Sequence, residues 1–278
     1  MVRAKDGARD LCALFGVVFL ASLGCYSNSL RGEFVHDDYP AILRNQDVLG
    51  GTGLLELASN DFWGTPLRDV NSHKSYRPLT TLTFRATHSV VGLQPFWYHV
   101  CNVLLHGAAS LLFTRVCYAI AGLQTIFATF AGLLFATHPV HTEAVSGIVG
   151  RADVLACALF FLSLLVYHDR ICAGASDNKR VLWSSILACM AMLAKETGLT
   201  VLFVNLFLDL YRSWHPLKRA LLERKWNEEA LHFSQRTAKL LMALSVLLVF
   251  RLALLQGSLP RFVSQDNPAA FHPHRQVR

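Results

Sequence analysis

Two carboxylates, Asp37 and Asp38, stand side by side in Phe34-Val35-His36-Asp37-Asp38-Tyr39, directly after an apolar run. A carboxylate can take the proton of an attacking hydroxyl when its pKa lies near the working pH. An acidic pair beside a helix end is ordinarily solvated and then carries no chemistry. Here Phe34, Val35, Tyr39 and Pro40 would hold the pair at an interface, where a carboxylate pKa rises toward that of a general base. A second set lies in His138-Pro-Val-His141-Thr-Glu143-Ala-Val-Ser-Gly-Ile-Val-Gly150-Arg151-Ala-Asp153. His138, His141 and Glu143 invite a metal reading. Their spacing matches neither H-E-x-x-H nor a common zinc pattern, so no metal site is expected. Arg151 suits an anion better, because its planar fork can grip phosphate oxygens two at a time while Asp153 or Glu143 orients it. An Arg151 paired with Asp153 or Glu143 only to fix the loop is the competing reading.

These residues need elements to hold them, and the composition says what kind. Charged residues make up 16% of the 278, against about 25% in soluble domains. Hydrophobic residues reach 53%, and the mean hydropathy is +0.36. Apolar runs near membrane-spanning length fall at Leu11–Leu30, Phe96–Ala121, Thr125–Thr137, Asp153–Tyr167, Val181–Leu193, Thr197–Tyr211 and Leu240–Leu255. The chain therefore reads as an all-α polytopic membrane protein with about seven transmembrane helices. The first run follows Arg3, Lys5 and Arg9 and could be a signal peptide cut near Ser22–Cys25. It lacks a clean A-x-A site, which favours a retained span.

The net charge of +7 is then a topology signal and not a mark of nucleic-acid binding. With residues 1–10 cytoplasmic, thirteen Lys and Arg lie inside, in 1–10, 168–180 and 212–239. Only Arg151 and Lys195 lie on the short outer turns. The expected order is a cytoplasmic start (1–10), a first span (11–30), a long first luminal loop (31–95), spans two to six (96–211) with luminal loop 138–152, a basic cytoplasmic stretch (212–239), a seventh span (240–255) and a luminal tail (256–278). The stretch 212–239, with Trp214 and Trp226, reads either as a surface helix on anionic headgroups or as a solvated loop. Inside the membrane, His99, Asn102 and His106 share one helix face, Asn205 and Asp209 another, and Arg251 sits in the seventh span. Such groups must face a cavity or each other. The seven cysteines form no C-x-x-C pair, and none lies in loop 31–95.

Phe34–Tyr39 (F-V-H-D-D-Y), Asn60–Gly64 (N-D-F-W-G), Ser72–Leu79 (S-H-K-S-Y-R-P-L), Tyr98–His106 (Y-H-V-C-N-V-L-L-H), His138–Asp153 and Asp266–Ala269 (D-N-P-A) together resemble the transmembrane O-mannosyltransferases that carry tetratricopeptide repeats. The likeness runs from about residue 30 to 270. It implies a GT-C-type glycosyltransferase of the endoplasmic reticulum membrane, moving mannose from dolichyl phosphate mannose to Ser or Thr of secretory-pathway proteins, cadherins in particular. No cofactor beyond that donor is implied. By the same likeness Asp37 is the favoured base with Asp38 second, since adjacent side chains diverge and only one can face the acceptor. Arg151 becomes the donor-phosphate ligand, Glu143, Asp153 and His141 its orienting neighbours, and Lys74 and Arg77 weaker phosphate candidates. Family members continue through further membrane helices and a repeat array, so this chain is expected to be a fragment or a truncated form. A catalytically inactive membrane scaffold is the alternative function.

Overall fold

The structure, a computed structural model, describes residues 3–168 and 176–255, with side chains from residue 13 onward. The D-N-P-A motif, Cys172, Arg170 and the expected luminal tail lie outside the described residues. Eight long helices carry the fold: α1 Arg3–Tyr26, α2 Pro78–Val91, α3 Pro95–Ala119, α4 Thr125–Thr137, α5 Arg151–His168, α6 Asp177–Ala194, α7 Val201–Glu223 and α8 Glu228–Leu255. Among the described residues there is no strand. The chain is an all-α polytopic membrane protein.

Helices stand at all seven expected spans. Four of them, Ala13–Arg31, Pro95–Ala119, Arg151–His168 and Glu228–Leu255, are long and apolar enough to cross a bilayer. α4, at 13 residues, rises only about 20 Å and is short for a span. α1 packs on α3 and α4, α3 on α5, α5 on α6, and α7 on α8. The boundaries have local causes. Pro78 and Pro95 open α2 and α3 at positions where a missing N–H costs nothing. α2 closes at Gly92, whose φ of +65° suits glycine.

Two stretches are organised differently from the expectation. The basic stretch 212–239 is neither a separate surface helix nor a loop. Its first half continues α7 and its second half begins α8, with a turn at Arg224–Asn227 between them. Asn227 Oδ1 accepts the Ala230 N–H at 2.9 Å and so caps α8. The long loop 31–95 is folded and contains α2, which its threonines had hidden from a hydropathy reading. Ala41, Ile42, Val48, Phe62, Phe84, Tyr98 and Ile148 form its core. Asp61 ties the loop internally, accepting the N–H groups of Trp63, Thr65 and His73 and the Ser72 hydroxyl.

Candidate functional site

The two acidic neighbours have different surroundings. Asp38 is 3% exposed. Its carboxylate accepts the Val35 N–H at 2.9 Å and, 111 residues away, the Val149 N–H at 3.1 Å. Burial raises its pKa from the ordinary carboxylate value, while those two N–H groups and the positive charge of His99 act in the opposite direction. Asp38 thus latches the first loop to the segment before α5. The Asp37 side chain is 54% exposed and meets His36 Nδ1 at 2.6 Å. His36 holds a φ of +40°, an uncommon geometry for a residue with a Cβ. It marks the turn after which the first carboxylate, Asp37, stays out and the next, Asp38, goes inward.

Arg151 is 1% exposed and among the largest fully buried side chains. Its Nε donates to Asn102 Oδ1 at 2.9 Å, Nη1 to Thr87 Oγ1 at 3.0 Å and to the Thr83 carbonyl at 3.3 Å, and Nη2 to the Tyr98 carbonyl at 3.1 Å. The guanidinium also lies over the rings of Phe84 and Tyr98, at 4.5 and 5.6 Å. Asn102 in turn donates to the Gly147 and Ile148 carbonyls at 3.0 and 3.1 Å. Of the polar groups on that helix face, Asn102 meets Arg151, His106 meets the Ala136 carbonyl at 3.0 Å, and the buried His99 ring nitrogens have no hydrogen-bond partner. Arg151 fastens α2, α3 and the segment before α5 together. Gly150 is required there, since a Cβ would come within 2.4 Å of the Ala144 carbonyl oxygen.

The orienting partners expected for Arg151 lie elsewhere. Asp153 pairs with Lys195 at 2.5 Å, and Glu143 is exposed in the first turn of the short helix Thr142–Ser146. His141 stacks among rings, with Phe135 at 4.4 Å and His106 at 5.3 Å. Burial first, then electrostatic coupling to the neighbouring His106 and His138, lower its pKa. Among the described residues no group of His, Cys, Asp and Glu could hold a metal ion. Lys74 is buried, its ammonium on the Leu67 and Asp69 carbonyls, where it ties the loop.

Arg77 is placed differently. Its Nε meets Glu196 Oε2 at 3.2 Å, and Arg251 Nη2 meets the other oxygen of the same carboxylate at 3.3 Å. Arg251 Nη1 is buried without a hydrogen-bond partner. Two guanidiniums sharing one carboxylate leave a net positive charge, at the same end of the bundle as Asp37. Arg251 entered the sequence reading as an intramembrane charge, and Glu196 did not enter it. The meeting of Glu196 with Arg77 spans 119 residues and has no local signal.

The fold and this end of it define a multi-pass membrane protein with an exposed acid and a carboxylate shared by two arginines beside a folded first loop. Three relatives have names that bear on that arrangement. The chain is 43% identical over 253 residues to the human protein O-mannosyl-transferase TMTC2, covering 89% of this chain and 30% of the relative. It is 37% identical over 284 residues to human TMTC3 (97% and 30%) and 39% identical over 294 residues to mouse TMTC4 (94% and 39%). No protein-family model and no solved structure matches. The chain belongs to the TMTC family, and spans about a third of the length of these relatives.

Proposed function

We propose that this chain forms the membrane-embedded catalytic part of a protein O-mannosyltransferase of the endoplasmic reticulum. Its donor is dolichyl phosphate mannose and its acceptors are Ser or Thr hydroxyls of secretory-pathway proteins, cadherin-type domains among them. The observation that carries the reading is the division of labour between Asp38, enclosed by two backbone N–H groups, and Asp37, exposed on the loop rim. Asp37 takes the hydroxyl proton as the oxygen attacks the anomeric carbon. The bond from that carbon to the phosphate oxygen breaks, and dolichyl phosphate leaves with the electron pair. A leaving phosphate needs fixed positive charge. Arg77 and Arg251, with one carboxylate between them, supply it better than Arg151, whose donors are turned to protein oxygens.

The test is mannosyl transfer in a full-length protein carrying Asp37→Asn, which should lose about 10²–10⁴-fold in rate while folding normally. Asp38→Asn should instead reduce yield and thermal stability. Full activity in a folded Asp37→Asn protein would remove the base assignment and leave the scaffold reading standing.

A further inference from the structure

The opposite end of the bundle holds a second cationic site, and the transferase reading does not use it. A polar cavity of ≈220 Å³ opens between the last turn of α5, the first turn of α6, the middle of α7 and the N-terminal part of α8, lined by Arg180, Arg212, Arg236, His168 and Asp209. Arg236 is neutralised twice, by Asp209 through Nε and Nη2 (both 3.0 Å) and by Asp177 through Nη1 at 2.9 Å. Arg180 shares Asp177, and its own Nε has no hydrogen-bond partner. Among the described residues Arg212 meets no carboxylate. It reaches only His168 Nδ1, the His168 carbonyl and the Ile120 carbonyl, at 3.3 to 3.4 Å. Among the described residues three arginines stand against two aspartates, and the one without a carboxylate has an exposed side chain at the rim.

The depth of the rim is marked by its neighbours in sequence. Tyr211 is 81% exposed and Trp214 49%, on the opposite face of α7 from Arg212 and Ser213. Such aromatic side chains settle at the headgroup level of a bilayer. A pocket at that depth that wants one negative charge and offers guanidinium donors is matched by a phosphate. We propose that this cavity seats the phosphate of an anionic phospholipid headgroup from the leaflet at that end, clamping α7 to α5 through Arg212. The assignment holds whichever leaflet this is and whether or not transfer occurs at the other end.

The chain, purified into nanodiscs of phosphatidylcholine with and without phosphatidylinositol, tests it by thermal unfolding and by native mass spectrometry of co-purified lipid. The expected result is anionic lipid retained and a higher melting temperature in its presence, with retention falling about five-fold in Arg212→Gln, the effect of one basic residue at an anionic surface. If Arg212→Gln does not fold, Ser213→Asp puts a repelling carboxylate at the mouth of the cavity and should give the same loss. Lys218→Gln, at the same end but outside the cavity, should leave retention in place. Protection of the detergent-solubilised chain by inorganic phosphate alone, to the same extent, would reassign the cavity to a soluble anion and overturn the lipid assignment. Equal retention of neutral and anionic lipid, or retention untouched by both cavity variants, would overturn the site itself.

Discussion

Two arginines at opposite ends of the helix bundle, Arg151 and Arg236, are held in opposite ways. At the end that bears the long loop, Arg151 is satisfied by an amide oxygen, a hydroxyl, two carbonyls and two aromatic faces, with no carboxylate in contact. At the other end Arg236 is held by two carboxylates. Neutral dipoles hold a charge without cancelling it, so Arg151 is a positional lock that keeps its positive field. Ion pairing cancels the charge and ties helices instead, here α8 to α6 and α7. The difference teaches that an arginine beside a candidate active site is not thereby a ligand. What decides is whether its donors are already used.

The widest test of the contrast is which end faces the lumen. His73→Thr turns Asn71-Ser72-His73 into a glycosylation sequon on the loop, and Glu229→Ser does the same for Asn227 in the α7–α8 turn. In microsomes the first should be glycosylated and the second not; the reverse would turn the loop-bearing end away from the lumen and overturn the transferase site proposed there. Next in size, Arg151→Lys should lower stability by about 3 kcal/mol, because an ammonium cannot keep the contacts to both Asn102 and Tyr98 and leaves buried acceptors unmet. A normal melting temperature with weakened donor use would instead make Arg151 the phosphate ligand. Arg251→Gln in a full-length protein should weaken donor use about tenfold, the range of one charge-assisted contact, with little change in acceptor affinity. Loss confined to the acceptor would move the phosphate away from the Arg77–Arg251 pair.

The smallest effect is a pH dependence. Asp38 has a folded pKa above its unfolded one, so the folded state binds that proton first. Its contribution to stability is full below the unfolded pKa and is lost as pH rises through the folded pKa. Unfolding followed across the range just above ordinary carboxylate titration should show this decline in the native protein and a flatter profile in Asp38→Asn.

Much of this was legible residue by residue. The apolar runs fell on helices, including the four long and apolar enough to cross a bilayer, because a bilayer imposes length and composition directly. The acidic pair and the His138–Asp153 segment drew notice for their residue types alone. The fold inside loop 31–95 was not legible. α2 carries Thr80, Thr81, Thr83 and Thr87, which lower hydropathy while still packing or capping carbonyls within the fold. The run 212–239 misled because charge density outweighed helix continuity in the reading.

By itself the sequence determined the class of protein, the places of the apolar helices and the family, since these depend on local composition and on the order of motifs. Tertiary structure decided which member of each pair is available: Asp37 and not Asp38, Arg77 with Arg251 and not Arg151. Availability depends on which backbone N–H, carbonyl or carboxylate arrives from a distant segment. Val149 reaches Asp38 across 111 residues and Glu196 reaches Arg77 across 119, distances over which residue spacing carries no signal and only the packed helices bring the groups together.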